Sequence, residues 1–452
     1  MHFSPHPKTR FTFSLLLLGV LLCSNVSTQV VKSSQPDIIL IVADDLGWGD
    51  LGCYGAEDVL TPKLDALAAG GQKWSQFYAN CCVCSPTRAS ILSGCYPDRV
   101  GVPGVIRTAN TNSWGKLAPV PLLPEHLSRF GYQTACVGKW HLGLYSGDHP
   151  MDRGFMRFDG FLGDMMDDYF NHRRHGENYI RHNRTETNPA GHATALFTNW
   201  AIRAIQEFAA TEQPYFLYLA YNAPHTPIQP PTDALSKVLG RMPKLEPQRA
   251  NLVALIEDMD WHIGKLLAAV KQYERDTLIV FVSDNGGQSE VGAQNGPLRG
   301  GKQSMYEGGL RIPAIVNWPG HVAPGSECHR IGVTMDLLPS ICECAGGIAP
   351  PEIDGMSLTP WINEPTQVQA EREIYYTRRE GGPQYAGLSI EALRQGDWKL
   401  VHNFPTQAFE LFNLAKDPQE QVDLSNVEPQ KLRQLIARLQ HHIQRGAQVP
   451  WQ

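Results

Sequence analysis

Residues 36–50, PDIILIVADDLGWGD, decide the fold of this chain. Residues 38–42 form an uninterrupted apolar run, which is typical of a β-strand buried on both faces. Such strands belong to parallel sheets that are covered by helices on both sides. Asp44 and Asp45 follow at the carboxyl end of the strand, where sheets of this kind bind ligands. The stretch therefore predicts an α/β domain and indicates which edge of its sheet carries a site.

The same alternation of strand and helix continues along the chain. The next segment, LTPKLDALAAGG, has Thr61 as a helix N-cap, Pro62 at the first helical position and Gly70 as the helix end. Further apolar runs lie in GYQTACVGKWHLG, PYFLYLAYNAPHTP and TLIVFVSDNGG, with helical apolar spacing between them. We therefore predict a mostly parallel central sheet flanked by helices.

After about residue 365 the pattern changes to short strands joined by turns, in REIYYTRRE, LSIEALRQGDWKLVHN and AFELFNLAKDP. Residues 428–446 have the character of a closing helix. We predict a large α/β domain over residues 34–365 and a smaller C-terminal α+β subdomain over residues 366–452, which carries an antiparallel sheet.

The first 28 residues resemble a secretory signal peptide. Lys8 and Arg10 precede an apolar run over residues 11–22, which is too short to span a membrane. We expect a secreted or periplasmic protein with no stable membrane span. A lipoprotein anchor at Cys23 is less favoured, because Leu22 stands where a small residue is expected. The net charge of −6 gives no indication of nucleic acid as a partner.

Oxygen ligands follow two of the buried strands. Asp44 and Asp45 repel each other unless a cation lies between them, and Asp284 and Asn285 come directly after a second apolar run. Three carboxylates and an amide oxygen suit a hard divalent cation. Asp-Asn-Gly is also a common turn, and either motif alone favours the turn. Both motifs together favour a metal site.

Residues 81–90, CCVCSPTRAS, place a thiol at a predicted helix start. Ser85 can cap this helix, and Pro86 suits its first turn. The helix dipole then predicts a lowered pKa for the Cys84 thiol, with Arg88 one turn further on. Export predicts disulfides. Nine cysteines remain if Cys23 is removed with the signal peptide, and because nine is an odd number, at least one thiol is left unpaired or has another use. The other nearby cysteines are assigned to packing or disulfides: Cys81, Cys82, Cys95 and Cys136.

These segments together resemble the sulfatase family. Cys84-Ser85-Pro86-Thr87-Arg88 is similar to the Cys-x-Pro-x-Arg motif of sulfatases, and GYQTACVGKWHLG is similar to their second signature. ADDLGWGD and VSDNGG resemble their metal-binding segments. The resemblance runs from about residue 36 to about residue 420. It implies the fold of the alkaline phosphatase superfamily, which agrees with the α/β prediction.

The resemblance also implies cofactors and site residues. Cys84 would be converted by a formylglycine-generating maturation enzyme to 3-oxoalanine (formylglycine), an aldehyde that hydrates to a gem-diol. One calcium ion would be held by an oxygen of the modified Cys84 and by Asp44, Asp45, Asp284 and Asn285. The remaining catalytic residues would be Arg88, Lys139, His141, His225 and Lys302.

In this mechanism one gem-diol hydroxyl attacks the sulfur atom. Arg88, Lys139 and Lys302 would stabilise the charge of the sulfate group. His225 or Lys302 would give a proton to the departing alcohol, and His141 would take a proton when sulfate later leaves.

The preferred substrate is a sulfated carbohydrate, with an aryl sulfate as the second choice. Some members of the family that the chain resembles place a polar residue against the sulfate after this segment, DRGF here, and Asp164 and Asp168 are the two candidates for that position. A carboxylate there is unfavourable unless it binds a substrate hydroxyl or faces away from the sulfate. Two alternatives stay open at this stage. One is a phosphonate or phosphate ester hydrolase of the same superfamily, and the other is an inactive secreted protein that binds sulfated glycans.

Overall fold

Strand β1 (Asp37–Ala43) lies inside the central sheet, as its apolar run predicts. The computed structural model describes residues 35–108, 116–381, 385–404 and 406–446. Ile39 and Ile41 of β1 pack into one hydrophobic core, and Ile38 and Leu40 pack into a second core. This alternation means that both faces of the sheet are covered. The predicted signal peptide and Cys23 lie outside the described residues.

The other strands and the helices of the described residues are numbered in chain order. The strands are β2 (Gln72–Tyr78), β3 (Gln133–Lys139), β4 (Arg157–Phe161), β5 (Arg173–Arg174), β6 (Glu177–Asn178), β7 (Ile180–His182), β8 (Thr185–Glu186), β9 (Tyr215–Ala220), β10 (Thr277–Ser283), β11 (Arg311–Asn317), β12 (Ser326–Cys328), β13 (Gly332–Val333), β14 (Glu373–Arg379), β15 (Ser389–Gln395), β16 (Trp398–His402) and β17 (Glu410–Asn413). The α-helices are α1 (Pro62–Ala69), α2 (Cys84–Ser93), α3 (Leu123–Arg129), α4 (Ala193–Ala209), α5 (Thr232–Arg241), α6 (Pro247–Lys271), α7 (Glu307–Leu310), α8 (Leu337–Cys344), α9 (Thr359–Asn363) and α10 (Pro429–Gly446).

The central sheet has the strand order β12-β2-β11-β10-β1-β9-β3-β4-β7-β8, and β13 also pairs with β2. Its middle strands β10, β1, β9, β3 and β4 are all parallel. Strand β11 runs antiparallel to both of its neighbours. The prediction of a mostly parallel sheet is confirmed.

Helices cover both faces of this sheet. Residues of α1, α4, α5 and α6 share one core with β1, and residues of α2, α3, α8 and α9 share the other. Helix α1 begins at Pro62 after Thr61 and ends before Gly70, as predicted. The Thr61 hydroxyl does not cap the helix, because it accepts a hydrogen bond from the Gly52 N–H at 2.9 Å instead.

The C-terminal part forms a separate antiparallel sheet of β14, β15, β16 and β17, followed by α10, as predicted. Leu435 and Leu439 of α10 pack into a third core together with this sheet. The same core contains Cys81, Cys82 and Val83, which directly precede α2. The smaller sheet therefore packs against the segment that leads into the predicted nucleophile. Within the described residues, no helix combines the length and apolar character that a membrane crossing requires.

Candidate active site

Strands β1 and β10 end at the same level, and this brings two predicted carboxylates together. Ala43 pairs with Ser283 in the parallel register, and the Asp284 N–H donates to the Ala43 carbonyl at 3.1 Å. The Asp45 N–H donates to Asp284 Oδ1 at 3.2 Å, and Asn285 Nδ2 donates to Asp45 Oδ1 at 2.8 Å. The register thus gathers the oxygen ligands that the sequence places after separate strands.

Asp45 has a left-handed backbone with φ of 66°. A non-glycine residue in this region carries strain of about 1–3 kcal/mol, which persists where neighbouring groups fix the conformation. Lys302 supplies one such contact, since its Nζ lies 2.7 Å from Asp45 Oδ2. Burial alone would lower the pKa of Lys302, but the charges of Asp45 and Asp44 raise it above its ordinary value. Lys302 therefore carries a positive charge in the site.

Helix α2 places Cys84 at its first residue. Val83 is the extended N-cap residue, and every residue of the helix is buried. Cys84 Sγ lies 3.4 Å from Asp44 Oδ1. The predicted cap at Ser85 is wrong, because the helix begins two residues earlier, at Cys84, and the Ser85 hydroxyl accepts a hydrogen bond from the Ile106 N–H at 3.1 Å.

The prediction of a lowered pKa at Cys84 is also wrong. Burial raises the pKa of this thiol well above its ordinary value, and Asp44 and Asp284 raise it further against the opposing charges of Lys139 and Lys302. The helix dipole does not outweigh the loss of solvent and the two nearby carboxylates. Cys84 in this setting is a neutral thiol and a poor nucleophile.

The cysteines of the described residues form no disulfide bond, so the expected disulfides are absent from this part of the chain. Cys81, Cys82, Cys95 and Cys136 are buried thiols, which agrees with their assignment to packing.

Arg88 is completely buried one turn after Cys84. Its Nε and Nη2 donate to Asp284 Oδ2 at 2.9 and 2.7 Å, and its Nη1 donates to the Lys139 carbonyl at 3.2 Å. The Asp44 carboxylate lies 3.7 Å from Nη2. Arg88 therefore fixes the carboxylates beneath the site and ties α2 to the ends of β1, β3 and β10.

Lys139 and His141 come from the end of β3. Lys139 Nζ lies 2.6 Å from Asp44 Oδ2. His141 has a left-handed backbone with φ of 58°, and its Nε2 lies 2.8 Å from the Ile106 carbonyl. Burial, together with the charges of Lys139 and Arg88, holds the pKa of His141 well below its usual value. The ring is therefore neutral, Nε2 donates to the carbonyl, and the buried Nδ1 has no hydrogen-bond partner.

His225 follows β9 and lies on the other side of the carboxylates. Its Nε2 is 3.6 Å from Asp45 Oδ2, and its Nδ1 is 2.7 Å from the Thr226 carbonyl. The Tyr169 hydroxyl is 2.7 Å from the Asn222 carbonyl and 2.9 Å from the His225 carbonyl, so it holds this loop in place. Burial and the charge of Lys302 lower the pKa of His225.

Asp44, Asp45, Cys84 and His225 each offer a ligand atom, and these atoms all lie within 4.8 Å of one another. The charges of Lys139, His225 and Arg88 outweigh burial and hold the pKa of Asp44 below its usual value, so it is ionised. Asn285 Oδ1 is buried and has no hydrogen-bond partner, although its amide nitrogen is bonded. The unpaired amide oxygen and the adjacent carboxylates fit a bound cation.

A cavity of about 370 Å³ opens above these groups. It is lined by Cys84, His141, His225 and Lys302 among the predicted residues, and also by Val83, Val105, Arg107, Asp164, Met165, Arg174, His175, Thr226, Gln288, Gln303, Arg378 and Tyr385. Asp164 lines the cavity and Asp168 does not, because Asp168 accepts hydrogen bonds from the Phe170 and Asn171 N–H groups.

Several cavity residues had no motif of their own in the sequence. Gln303 directly follows Lys302 and Gln288 directly follows the segment VSDNGG, so adjacency was the only available signal. Arg378 and Tyr385 come from the C-terminal subdomain and lie in no predicted motif.

Comparisons with known proteins agree with this geometry. The family model described as Sulfatase matches residues 36–348, and the model described as N-sulphoglucosamine sulphohydrolase, C-terminal, matches residues 301–448. N-acetylgalactosamine-6-sulfatase of Homo sapiens is 32% identical in an alignment of 442 positions, and the alignment covers 86% of this chain and 81% of that protein. Arylsulfatase A of Homo sapiens is 31% identical, in an alignment that covers 87% of this chain and 79% of that protein. The crystal structure of Ps i-CgsB in complex with k-i-k-neocarrahexaose superposes with a TM-score of 0.83 at 31% identity, and the superposition covers 90% of this chain and 92% of that one.

Proposed function

The chain belongs to the sulfatase family and hydrolyses sulfate esters, and we propose that it acts on a sulfated carbohydrate with a formylglycine made from Cys84 and one calcium ion. The observation that carries the proposal is the convergence of Cys84, two carboxylates, two lysines and two histidines at one sheet edge. A sugar substrate is supported by the relatives, because N-acetylgalactosamine-6-sulfatase is named for a sulfated amino sugar and Ps i-CgsB is described in complex with k-i-k-neocarrahexaose.

The proposed calcium site consists of an oxygen of the modified Cys84 together with Asp44, Asp45, Asp284 and Asn285. The unpaired Asn285 Oδ1 supports this set, because a buried amide oxygen without a donor suits a hard cation. When bound, such an ion draws negative charge away from the sulfate group.

Burial raises the pKa of the Cys84 thiol, and a neutral thiol is a poor nucleophile. A formylglycine made from Cys84 would instead supply the hydroxyl group of a hydrated aldehyde at the same position. The proposed maturation enzyme would be a formylglycine-generating partner of this chain.

The remaining side chains bind the sulfate group and move protons. Lys139 and Lys302 place two cations beside Asp44 and Asp45, where they would bind sulfate oxygens. His225, assisted by Lys302, would protonate the departing alcohol oxygen. His141 would accept a proton at its unpaired Nδ1 after the alcohol has left.

The two histidines are expected to differ in their response to the leaving group. His225→Ala should lower kcat by about 10²- to 10⁴-fold for a sugar sulfate and much less for a nitrophenyl sulfate, because an acidic phenol departs without a proton. His141→Ala should slow both substrates to a similar extent. The measurement is kcat on aryl sulfates of graded phenol pKa, with a sugar sulfate at the basic end.

His175→Ala is the matched control, since His175 lines the same cavity without belonging to the carboxylate cluster. Its dependence on leaving-group pKa should equal that of the wild type. The two roles would be reversed if kcat depended steeply on the leaving-group pKa in His141→Ala and only weakly in His225→Ala.

The organisation and location of the chain are part of the proposal. Residues 1–28 would direct export as a signal peptide, residues 34–365 would form the catalytic domain and residues 366–452 the C-terminal subdomain. Arg378 and Tyr385 at the cavity support a role for that subdomain in substrate binding.

The proposal is tested by assaying the purified protein, coexpressed with a formylglycine-generating enzyme, on nitrophenyl sulfate, nitrophenyl phosphate, a phenyl phosphonate ester and a panel of sulfated sugars. We expect sulfate release from sugars, together with an aldehyde in the Cys84 peptide by mass spectrometry. Preferred hydrolysis of the phosphonate would identify the rival hydrolase. Binding of sulfated glycans with an unmodified thiol and no turnover would identify the rival binding protein.

A further inference from the structure

Asp164 is the carboxylate that lines the active-site cavity outside the carboxylate cluster beneath Cys84. It is 6% exposed and lies in the loop after β4, on the wall that also carries Met165, Arg174 and His175. Cys84, His141, His225 and Lys302 line the same cavity. A substrate whose sulfate group meets these four residues therefore extends along the wall that carries the Asp164 carboxylate.

The Asp164 carboxylate is held rigidly by its neighbours. Its Oδ1 accepts hydrogen bonds from Thr108 Oγ1 at 3.1 Å, the Met165 N–H at 2.9 Å and Arg174 Nε at 2.9 Å. Among the residues that the structure describes, Arg174 Nη2 alone donates to its Oδ2, at 3.2 Å. Oδ2 has two lone pairs and keeps capacity for one more donor.

A carboxylate in this position distinguishes between substituents of a sugar. It accepts a hydrogen bond from a hydroxyl group, and a charge-assisted bond of this kind changes affinity by about 10- to 100-fold. It repels a sulfate or carboxylate group at the same place, because like charges at short range in a partly buried site are poorly screened.

We propose that Asp164 is a specificity-determining residue that selects sulfated sugars with a free hydroxyl group close to the sulfate ester on the same sugar unit, and that it excludes sugars sulfated at both positions. This inference rests on the sulfatase function proposed above. It assigns to the loop of residues 161–175 the discrimination between singly and doubly sulfated units of a glycan.

The test uses the matured enzyme and N-acetylgalactosamine carrying 4-sulfate, 6-sulfate or 4,6-disulfate, with nitrophenyl sulfate as a probe of sulfate chemistry. For wild type, kcat/KM on the monosulfate that is hydrolysed faster should exceed kcat/KM on the disulfate by about tenfold or more. Asp164→Asn keeps an acceptor oxygen and removes the charge, so it should reduce this ratio about tenfold or more. Asp164→Ala should lower kcat/KM on the monosulfate about 10- to 100-fold, through KM rather than kcat.

Asp167→Asn is the matched control. Asp167 also pairs with Arg174, at 2.8 Å, but it is exposed and does not line the cavity. Its substitution should leave the monosulfate to disulfate ratio at the wild-type value. An unchanged ratio in Asp164→Asn, or an equal shift in Asp167→Asn, would overturn the proposal. Failure of wild type on sugars with activity on nitrophenyl sulfate would overturn it too, whereas failure on every sulfate ester would overturn the proposed function itself.

Discussion

Cys84→Ala and Cys84→Ser are each expected to abolish sulfate release, with kcat reduced by about 10⁴-fold or more, because both remove the group from which the nucleophile is made. Neither variant is expected to unfold. Both side chains are small, α2 keeps its contacts with the second core, and the segment before it keeps those with the third core. The measurements are sulfate release, thermal unfolding and the mass of the peptide that contains residue 84.

Cys95→Ser is the control for loss of a thiol from the same region, since Cys95 is buried just beyond the end of α2. It should retain activity. Sustained turnover by Cys84→Ser would contradict the formylglycine mechanism, because a plain hydroxyl lacks the second oxygen of a hydrated aldehyde.

Asp284→Asn is expected to remove both calcium and activity. The substitution takes away a charged oxygen ligand, and it also breaks the buried pair with Arg88 at 2.7 Å. Removing one partner of a buried ion pair costs about 3–5 kcal/mol, so the free energy of unfolding should fall by a similar amount. The measurements are metal content by elemental analysis, denaturant unfolding and kcat on nitrophenyl sulfate.

Asp50→Asn is the control that separates the loss of a metal ligand from the loss of a buried ion pair. Asp50 is completely buried, and its Oδ1 lies 2.6 Å from Arg249, so this variant loses a comparable pair away from the metal ligands. It should be destabilised and still bind one calcium ion. Calcium retained by Asp284→Asn would exclude Asp284 as a ligand, and two tightly bound ions in wild type would favour a dinuclear phosphatase.

The sequence predicts the parts of the fold that depend on local pattern. The apolar runs of β1 and β10 predict central strands of a sheet that is covered on both sides, since a strand with apolar residues on both faces has to be buried on both faces. The boundaries of α1 follow from Pro62 and Gly70 for equally local reasons. Strand β11 is different: RIPAIVN contains a proline and does not reveal that it runs antiparallel between β10 and β2. That pairing depends on contacts between distant segments.

The candidate site shows the same division. Sequence motifs identified Asp44, Asp284, Lys139 and Cys84 as candidate site residues. In the structure, the parallel register of β1 and β10 puts Asp44 next to Asp284, and Lys139 and Cys84 both contact Asp44. The pKa of Cys84 could not be predicted, because it depends on complete burial beside two carboxylates that are far away in sequence. The choice between Asp164 and Asp168 also required the structure, since the direction of each side chain is set by partners such as Arg174.

The complete burial of α2 has a consequence for the order of events in the life of the chain. Cys84 is 3% exposed, and its neighbours on both sides are packed against two cores and the smaller sheet. A modifying enzyme must take the target thiol and several flanking residues into its own cleft, which a finished fold does not offer. The proposed conversion at Cys84 would therefore have to happen while the chain is still extended. A molecule that folded before conversion would then stay inactive, and the specific activity of a preparation would measure the fraction of chains converted before folding.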